Sequence, residues 1–180
     1  VDPNIEILKI YNFKNNNKDL FFALSHGVNF GKLKRGKTDE RENFIKNLMG
    51  LFPNIKYNIL GISNETPKWN YNFYIELAKC KMSLNLSRGK PLKYTSSNRI
   101  AALIGNGIFT FIDKNTKFDD FFNDKEVGFY KDVNDLGNKI EHLLSNPNKI
   151  NEYAKRGKNK YFKLFNNKLI TSNIINKTFN

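Results

Sequence analysis

Residues 87–99 read SRGKPLKYTSSNR and place charge and hydroxyls side by side. Arg88, Lys90, Lys93 and Arg99 are cations. Ser87, Thr95, Ser96, Ser97 and the amides of residues 97–99 are hydrogen-bond donors. A second basic stretch, HGVNFGKLKRGK at 26–37, adds Arg35 and Lys37. Cations and donors in this mixture suit an oxyanion, and a pyrophosphate in particular. An arginine can grip two phosphate oxygens at once, which a lysine cannot. Any single lysine in so lysine-rich a chain also reads simply as a solvated surface cation. Arg99 stands apart because it sits one residue into a helix, beside a hydroxyl cluster.

Other chemistries find little support. His26 lies at a strand end beside Gly27, where a lone histidine is more often packed or capping than catalytic. His142 falls on a helix face. The acids are sparse near the basic loops: Asp39 and Glu40 read as capping residues, and Asp113 ends a strand. No Ser-His-Asp set, carboxylate pair or metal site can be assembled. No Walker A or G-x-G-x-x-G pattern occurs, because Gly105 and Gly107 follow a helix rather than precede one. Trp69, the one tryptophan, could stack on a base, but core packing is the expectation.

The elements that must position these residues follow from periodicity. Met82, Leu84 and Leu86 alternate with Ser83 and Asn85 as a strand. Ser96, Ser97 or Asn98 then caps a helix with Ile100, Leu103 and Ile104 on one stripe. Gly105 or Gly107 stops it, and the apolar run 108–112 makes the next strand. This is a βαβ unit whose polar loop meets a helix N-terminus, where free N–H groups favour an anion.

Upstream, a short strand is expected at 5–10, a buried strand at 20–25 and a glycine-bearing turn at 26–31. Thr38 or Asp39 caps a helix striped with Phe44, Ile45, Leu48, Met49 and Phe52. Ile55, Tyr57 and Ile59 mark a strand, and Phe73 and Leu77 a short helix. Downstream, 114–124 is polar with an aromatic insert and 127–130 is a short strand. Helices carry Leu136, Ile140, Leu143 and Leu144, then Ile150, Tyr153, Ala154, Tyr161 and Phe165. A last amphipathic piece holds Leu169, Ile170, Ile174 and Ile175. Such alternation predicts an α/β fold, a Rossmann-like parallel sheet with helices on both faces. Ligands of these sheets sit beyond the carboxyl ends of the strands, where both basic loops emerge.

The totals fit this reading. The chain has 180 residues, 30 Lys and Arg against 17 Asp and Glu, and a net charge of +13. That length suits one domain, and that charge an anionic partner: a nucleotide, nucleic acid or an acidic membrane surface. No block of like charges marks a basic tail. The single cysteine, Cys80, gives no intrachain disulfide and fits a reducing, cytoplasmic setting. No apolar run approaches the ~20 residues of a spanning helix.

The unit at 81–113 resembles the donor-binding, C-terminal half of GT-B glycosyltransferases, of the CgeB-like and group 1 kind. The pattern R-x-F-E-A-x-A-x-G, leading to an apolar strand and Asp, is matched by Arg99, Gly107 and IFTFID. Ala102 stands where that family usually has a glutamate for the donor ribose, and its earlier partner acid falls near Tyr94; both carboxylates are absent. The order Ser97, Asn98, Arg99 is also similar to a fucosyltransferase-type Y-x-T-E-K turn. That likeness implies a ribose contact for Asn98 and a phosphate contact for Arg99. The stretch 26–37 resembles the first phosphate-side loop of these domains, and the last two helices their tail.

The resemblance implies transfer of a sugar from a nucleoside-diphosphate sugar to an acceptor hydroxyl, without a metal or other cofactor. Donor and phosphate contacts would fall to Arg35, Lys37, Ser87, Arg88, Lys93, Ser96, Ser97, Asn98 and Arg99, with His26 and Tyr94 beside them. Residues 1–18 would be a linker or crossover from an N-terminal, acceptor-binding domain, 19–165 the nucleotide-sugar domain, and 166–180 a helical tail. The catalytic base would lie on that other domain, so this piece alone would bind donor and not turn over. A contact with the inner face of a membrane would suit the basic surface and apolar tail. Two other readings compete: a basic α/β module binding nucleic acid, and a non-catalytic interaction domain of the same fold. Against the first, the aromatics fall at core periods rather than between cations on an exposed strand.

Overall fold

The structure is a computed structural model that describes residues 1–14, 16–24, 40–62 and 65–179. Five strands form one wholly parallel sheet: β1 (Lys18–Ala23), β2 (Tyr57–Leu60), β3 (Cys80–Asn85), β4 (Phe109–Asp113) and β5 (Gly128–Tyr130). Their order is β2-β1-β3-β4-β5. Six helices connect and cover them: α1 (Glu40–Leu51), α2 (Asn70–Ala78), α3 (Asn98–Ile104), α4 (Val133–Leu144), α5 (Pro147–Phe165) and α6 (Asn167–Phe179). This is the Rossmann-like α/β architecture expected from the strand–helix alternation.

Both faces of the sheet are sealed, as parallel sheets require. Leu20, Phe22, Met82, Leu84, Phe109 and Phe111 pack against Ile45 and Leu48 of α1 and Leu136 and Ile140 of α4. On the opposite face Phe21, Leu60 and Cys80 meet Leu77 of α2 and Leu103 of α3. The long α5 joins both sides, with Ile150 and Ala154 in the first cluster and Tyr161 in a third with Ile100, Ile112 and Phe122. The polar half of β3 therefore has no solvent side. Ser83 is fully buried and its hydroxyl donates to Thr110 Oγ1 at 3.0 Å.

Helix ends follow their capping residues. Asp132 caps α4 by accepting from the Asp135 amide, and Pro147 opens α5 at the position where its missing N–H costs nothing. Tyr57 of β2 donates to the carbonyl of Phe52 at 2.9 Å, tying off the chain beyond α1. The aromatic insert at 114–124 winds into two short 3-10 turns, Lys114–Thr116 and Phe118–Asp120, that bury Phe118 and Phe122 beside Tyr161.

Two expectations need correction. Residues 5–10 form no strand: Ile5 and Ile7 are exposed, and Ile10 begins a 3-10 turn at Ile10–Asn12. The amides of Ile10 and Tyr11 bond the carbonyls of Asn106 and Gly107, so the turn after α3 takes the hydrogen bonds a strand would have used. Met49 lies outside the core stripe of α1, 40% exposed, because α4 covers only the Ile45 and Leu48 side. The turn at 26–31 lies outside the described residues.

Residues 1–14 run against α3, α5 and α6. Lys158 of α5 donates to the carbonyls of Glu6 and Leu8 at 3.0 and 2.6 Å, and the Asn167 amide bonds Val1 O at 2.9 Å. Helix α6 has no buried residue and exposes Ile174, Ile175 and Phe179. Among the described residues no helix is long and apolar enough to cross a membrane.

Leu84 is fully buried at the centre of the sheet, between β1 and β4. Leu84→Ala is expected to cost about 2–5 kcal/mol of stability in urea unfolding. Met49→Ala should stay within about 0.5 kcal/mol of the parent.

Candidate functional site

The strand order fixes where a site can form. β1 connects to β2 on one side and β3 to β4 on the other, while β1 and β3 are hydrogen-bonded neighbours. The connections diverge there and leave a crevice beyond the carboxyl ends of those two strands. A cleft of about 590 Å³ occupies this place. Ala23 and Leu24 at the end of β1 form one part of its wall, and Asn98, Arg99, Ala101 and Ala102 of α3 another. Lys68, Trp69, Phe73 and Tyr74 close the α2 side, and Asp2 and Glu6 come from the N-terminal segment.

Arg99 spans the gap between the two strands. Its guanidinium donates to Leu86 O at 3.1 Å, just past β3, and lies 5.8 Å from the ring of Phe22 in β1. The positive charge is thus fixed at the switch point. Ser97 stands at the N-cap of α3 in extended conformation, but its side chain makes no capping bond. The hydroxyl therefore leaves the opening amides of this helix to other partners.

On the facing wall Lys68 is held by Glu76 of α2, Nζ to Oε1, at 2.8 Å. Burial would raise the Glu76 carboxyl, but hydrogen bonds from Lys68, Lys79 and Asn58 outweigh it and bring the pKa down to about 2. Trp69 caps α2 in extended conformation and remains 45% exposed. Asn70, which follows, has φ of 50°, a conformation most side chains avoid. Tyr74 has its phenol raised by burial and then by the charge of Glu6.

The sequence-derived candidates divide. Asn98 and Arg99 stand on the cleft wall. Ser97 precedes them at the helix end. Ser96 turns instead toward Tyr161, whose phenol burial raises and a hydrogen bond with Ser96 pulls back. Ser87 is half-buried behind Leu86, and Arg88 and Lys90 point to solvent. The Gly89 amide between them bonds the Glu40 carboxylate of α1. Lys93 and Tyr94 are drawn away toward the aromatic insert. The Lys93 ammonium lies 4.6 Å above the Tyr94 ring, and Tyr94 donates its hydroxyl to Asp120 at 2.5 Å and its amide to Thr116 O at 2.8 Å. His26, Arg35 and Lys37 lie outside the described residues.

Glu6, Lys68 and Tyr74 are among the cleft residues that escaped the sequence reading. Trp69 lines the cleft rather than the core, a correction to its expected packing role. The run of small and polar residues before it, with Pro67, was the available sign that it leaves the core. Ala102 confirms that α3 brings no carboxylate to the cleft; the acids present come from Asp2 and Glu6. Among the described residues no group of three or more His, Cys, Asp or Glu could hold a metal ion.

Comparison with known proteins bears on the family and the fold. Residues 38–175 match the family described as glycosyl transferase-like. Among solved structures the chain is similar to sucrose-phosphate synthase from Thermosynechococcus elongatus, with a TM-score of 0.55 at 16% identity. The match covers 83% of this chain and 37% of the synthase, so this chain spans little more than a third of that protein. At this identity the likeness is one of fold. No match was found among curated proteins.

The Lys68–Glu76 pair gives a pH dependence with a definite sign. Glu76 has a folded pKa below its ordinary value of 4.5. Its contribution is complete above that value and is lost as pH falls toward 2. Thermal midpoints measured from pH 5 to pH 2 should drop more steeply for the parent chain than for Glu76→Gln. Parallel curves would remove Glu76 from the account.

Proposed function

The chain belongs to the glycosyl transferase-like family and has the Rossmann-like fold of one GT-B half, and on that premise we propose that it is the donor-binding half. Its ligand on this reading is a nucleoside-diphosphate sugar in the cleft beyond β1 and β3. One observation carries the proposal: the Arg99 guanidinium is held across the ends of both strands on the wall of that cleft. The pyrophosphate pairs with Arg99 and the opening amides of α3, and Asn98 offers a hydroxyl contact. The exposed Trp69 ring supplies a stacking surface for the base.

The reaction implied is displacement at the sugar carbon. The bond to the diphosphate breaks, its electron pair leaves with the diphosphate, and the acceptor oxygen bonds the sugar. Charge grows on the leaving group, and fixed cations and dipoles stabilise it without reorganising. The acceptor proton passes to a base on the acceptor-binding half. The uncovered apolar side of α6 and its Lys168 and Lys177 are available to that half or to a membrane-linked acceptor. A nucleic-acid reading is weaker. The phenylalanines of the strands, Phe21, Phe22, Phe109, Phe111 and Phe129, are all buried, and Tyr57 is half-buried against the main core, so the sheet presents no stacking platform.

The single tryptophan makes the test direct. Nucleoside diphosphates titrated into the 180-residue chain should change Trp69 fluorescence saturably. Arg99→Ala should weaken binding about tenfold or more, the range for a lost hydrogen bond to a charged group. Lys93→Ala should change it by less than about twofold, as an exposed cation outside the cleft. Steeply salt-dependent binding of single-stranded RNA with no response to diphosphates would overturn the proposal.

A further inference from the structure

A second cavity opens at the amino end of β4 and β5, away from the carboxyl ends that hold the donor cleft. β5 is an edge strand of three residues, and its register sets Gly128 opposite Phe111. Phe109, two residues earlier in β4, has no paired residue on that side. Gly128 lets both rings lie against the edge: a Cβ there would meet Phe111 at 2.5 Å and Phe109 at 3.0 Å. The two rings meet edge to face with centres 5.3 Å apart, and Tyr153 of α5 tilts onto Phe109 at 6.0 Å. Leu143, in the last turn of α4, completes the apolar lining of a cavity of about 320 Å³. It shares no lining residue with the donor cleft. Small-molecule sites begin at roughly 300 Å³ and are walled mainly by such apolar and aromatic groups.

The rim of this cavity is basic. Lys125 comes from the turn before β5, His142 from the end of α4 and Lys149 from the first turn of α5, and all three are exposed. The ammonium groups of Lys125 and Lys149 have no hydrogen-bond or ion-pair partner among the described residues. Lys139 is already engaged, donating to Phe129 O at 2.6 Å and to Asp135 Oδ2 at 3.0 Å. Asp124 is the acid among the described lining residues, so the balance stays positive. Cations above an apolar floor complement a molecule with an apolar body and one anionic end. A neutral apolar molecule gains only the floor, and a small inorganic anion gains only the rim.

We infer that this cavity is a binding site for a small organic anion, a carboxylate carried on an aromatic or acyl body. Phe109, Phe111, Tyr153 and Leu143 take the body, and Lys125 and Lys149 pair with the carboxylate. The aromatic rings offer their faces and edges to a ring, and their apolar surface equally to a chain. The inference stands apart from the donor reading. The two sites have separate walls at opposite ends of the sheet, so filling one does not block the other.

The experiment titrates the 180-residue chain with phenylacetate and hexanoate, which probe the aromatic and the acyl body. Phenylethanol and hexanol are the neutral counterparts, and acetate is the head alone. NMR follows the Leu143 methyls and the Gly128 amide as reporters of the cavity, and the Trp69 indole as reporter of the donor cleft. The expected result is saturable shifts at Leu143 and Gly128 with Trp69 unmoved. The tighter carboxylate should bind about fivefold better than its alcohol, a preference that added salt weakens. Whichever body binds more tightly assigns the class as aromatic or acyl. Combining Lys125→Glu with Lys149→Glu, both at exposed positions that leave the core untouched, should abolish the preference while the alcohol still binds. The inference is overturned by no saturable shift with either acid, by shifts centred on Trp69, or by acetate binding as tightly as the longer acids. A carboxylate preference that survives the double charge reversal overturns it too. None of these outcomes touches the donor reading, which the nucleoside-diphosphate titration tests separately.

Discussion

The connection reversal between β1 and β3 is the constraint on which the molecule depends. Two parallel strands bonded side by side send their chains to opposite sides of the sheet, and nothing in the backbone can fill the space between the departing loops. Contacts that place Arg99 there include the carbonyl after β3 and a ring in β1. The first fixes its reach and the second its height above the sheet. A cation so held loses little further freedom when an anion arrives, which is the condition for strong electrostatic recognition.

The rest of the fold serves that position. Burial of both sheet faces makes β1 and β3 rigid, because Leu20, Phe22, Met82 and Leu84 have helices above them and Phe21 and Cys80 have helices below. The same sealing removes the strand phenylalanines from the surface and leaves recognition to loops and helix ends. The N-terminal segment adds a third wall. It is staked to α5 and α6 through Lys158 and Asn167, so Asp2 and Glu6 are parts of the cleft rather than a mobile approach to it.

Much of this was legible in the sequence, for reasons that differ by element. The apolar run 108–112 and the stripe Ile100, Leu103, Ile104 specify a buried strand and a helix under any tertiary arrangement, and the capping signal at 96–98 located the start of α3. Arg99 was legible because its position is local, one residue inside that helix. Lys93 and Tyr94 looked equivalent to it in sequence. Only the fold shows Tyr94 tied to Thr116 and Asp120, which carries this part of the loop away from the cleft. Glu6 was illegible for the converse reason, and for Trp69 the sequence offered stacking only as the lesser of two roles. Glu6 reaches the cleft through contacts distant in the chain, with Gly105 and Lys158, and no periodicity encodes a pairing of that kind. Residues 5–10 misled because alternating isoleucines suit a strand, while the turn after α3 claimed their neighbours' amides.

A structure of the chain with a bound nucleoside diphosphate tests the central claim most directly. The account predicts diphosphate oxygens within about 3 Å of the Arg99 guanidinium, between the ends of β1 and β3. A diphosphate held by Lys90 and Lys93 on the far side of the loop, with the cleft beside Arg99 left to solvent, would contradict it.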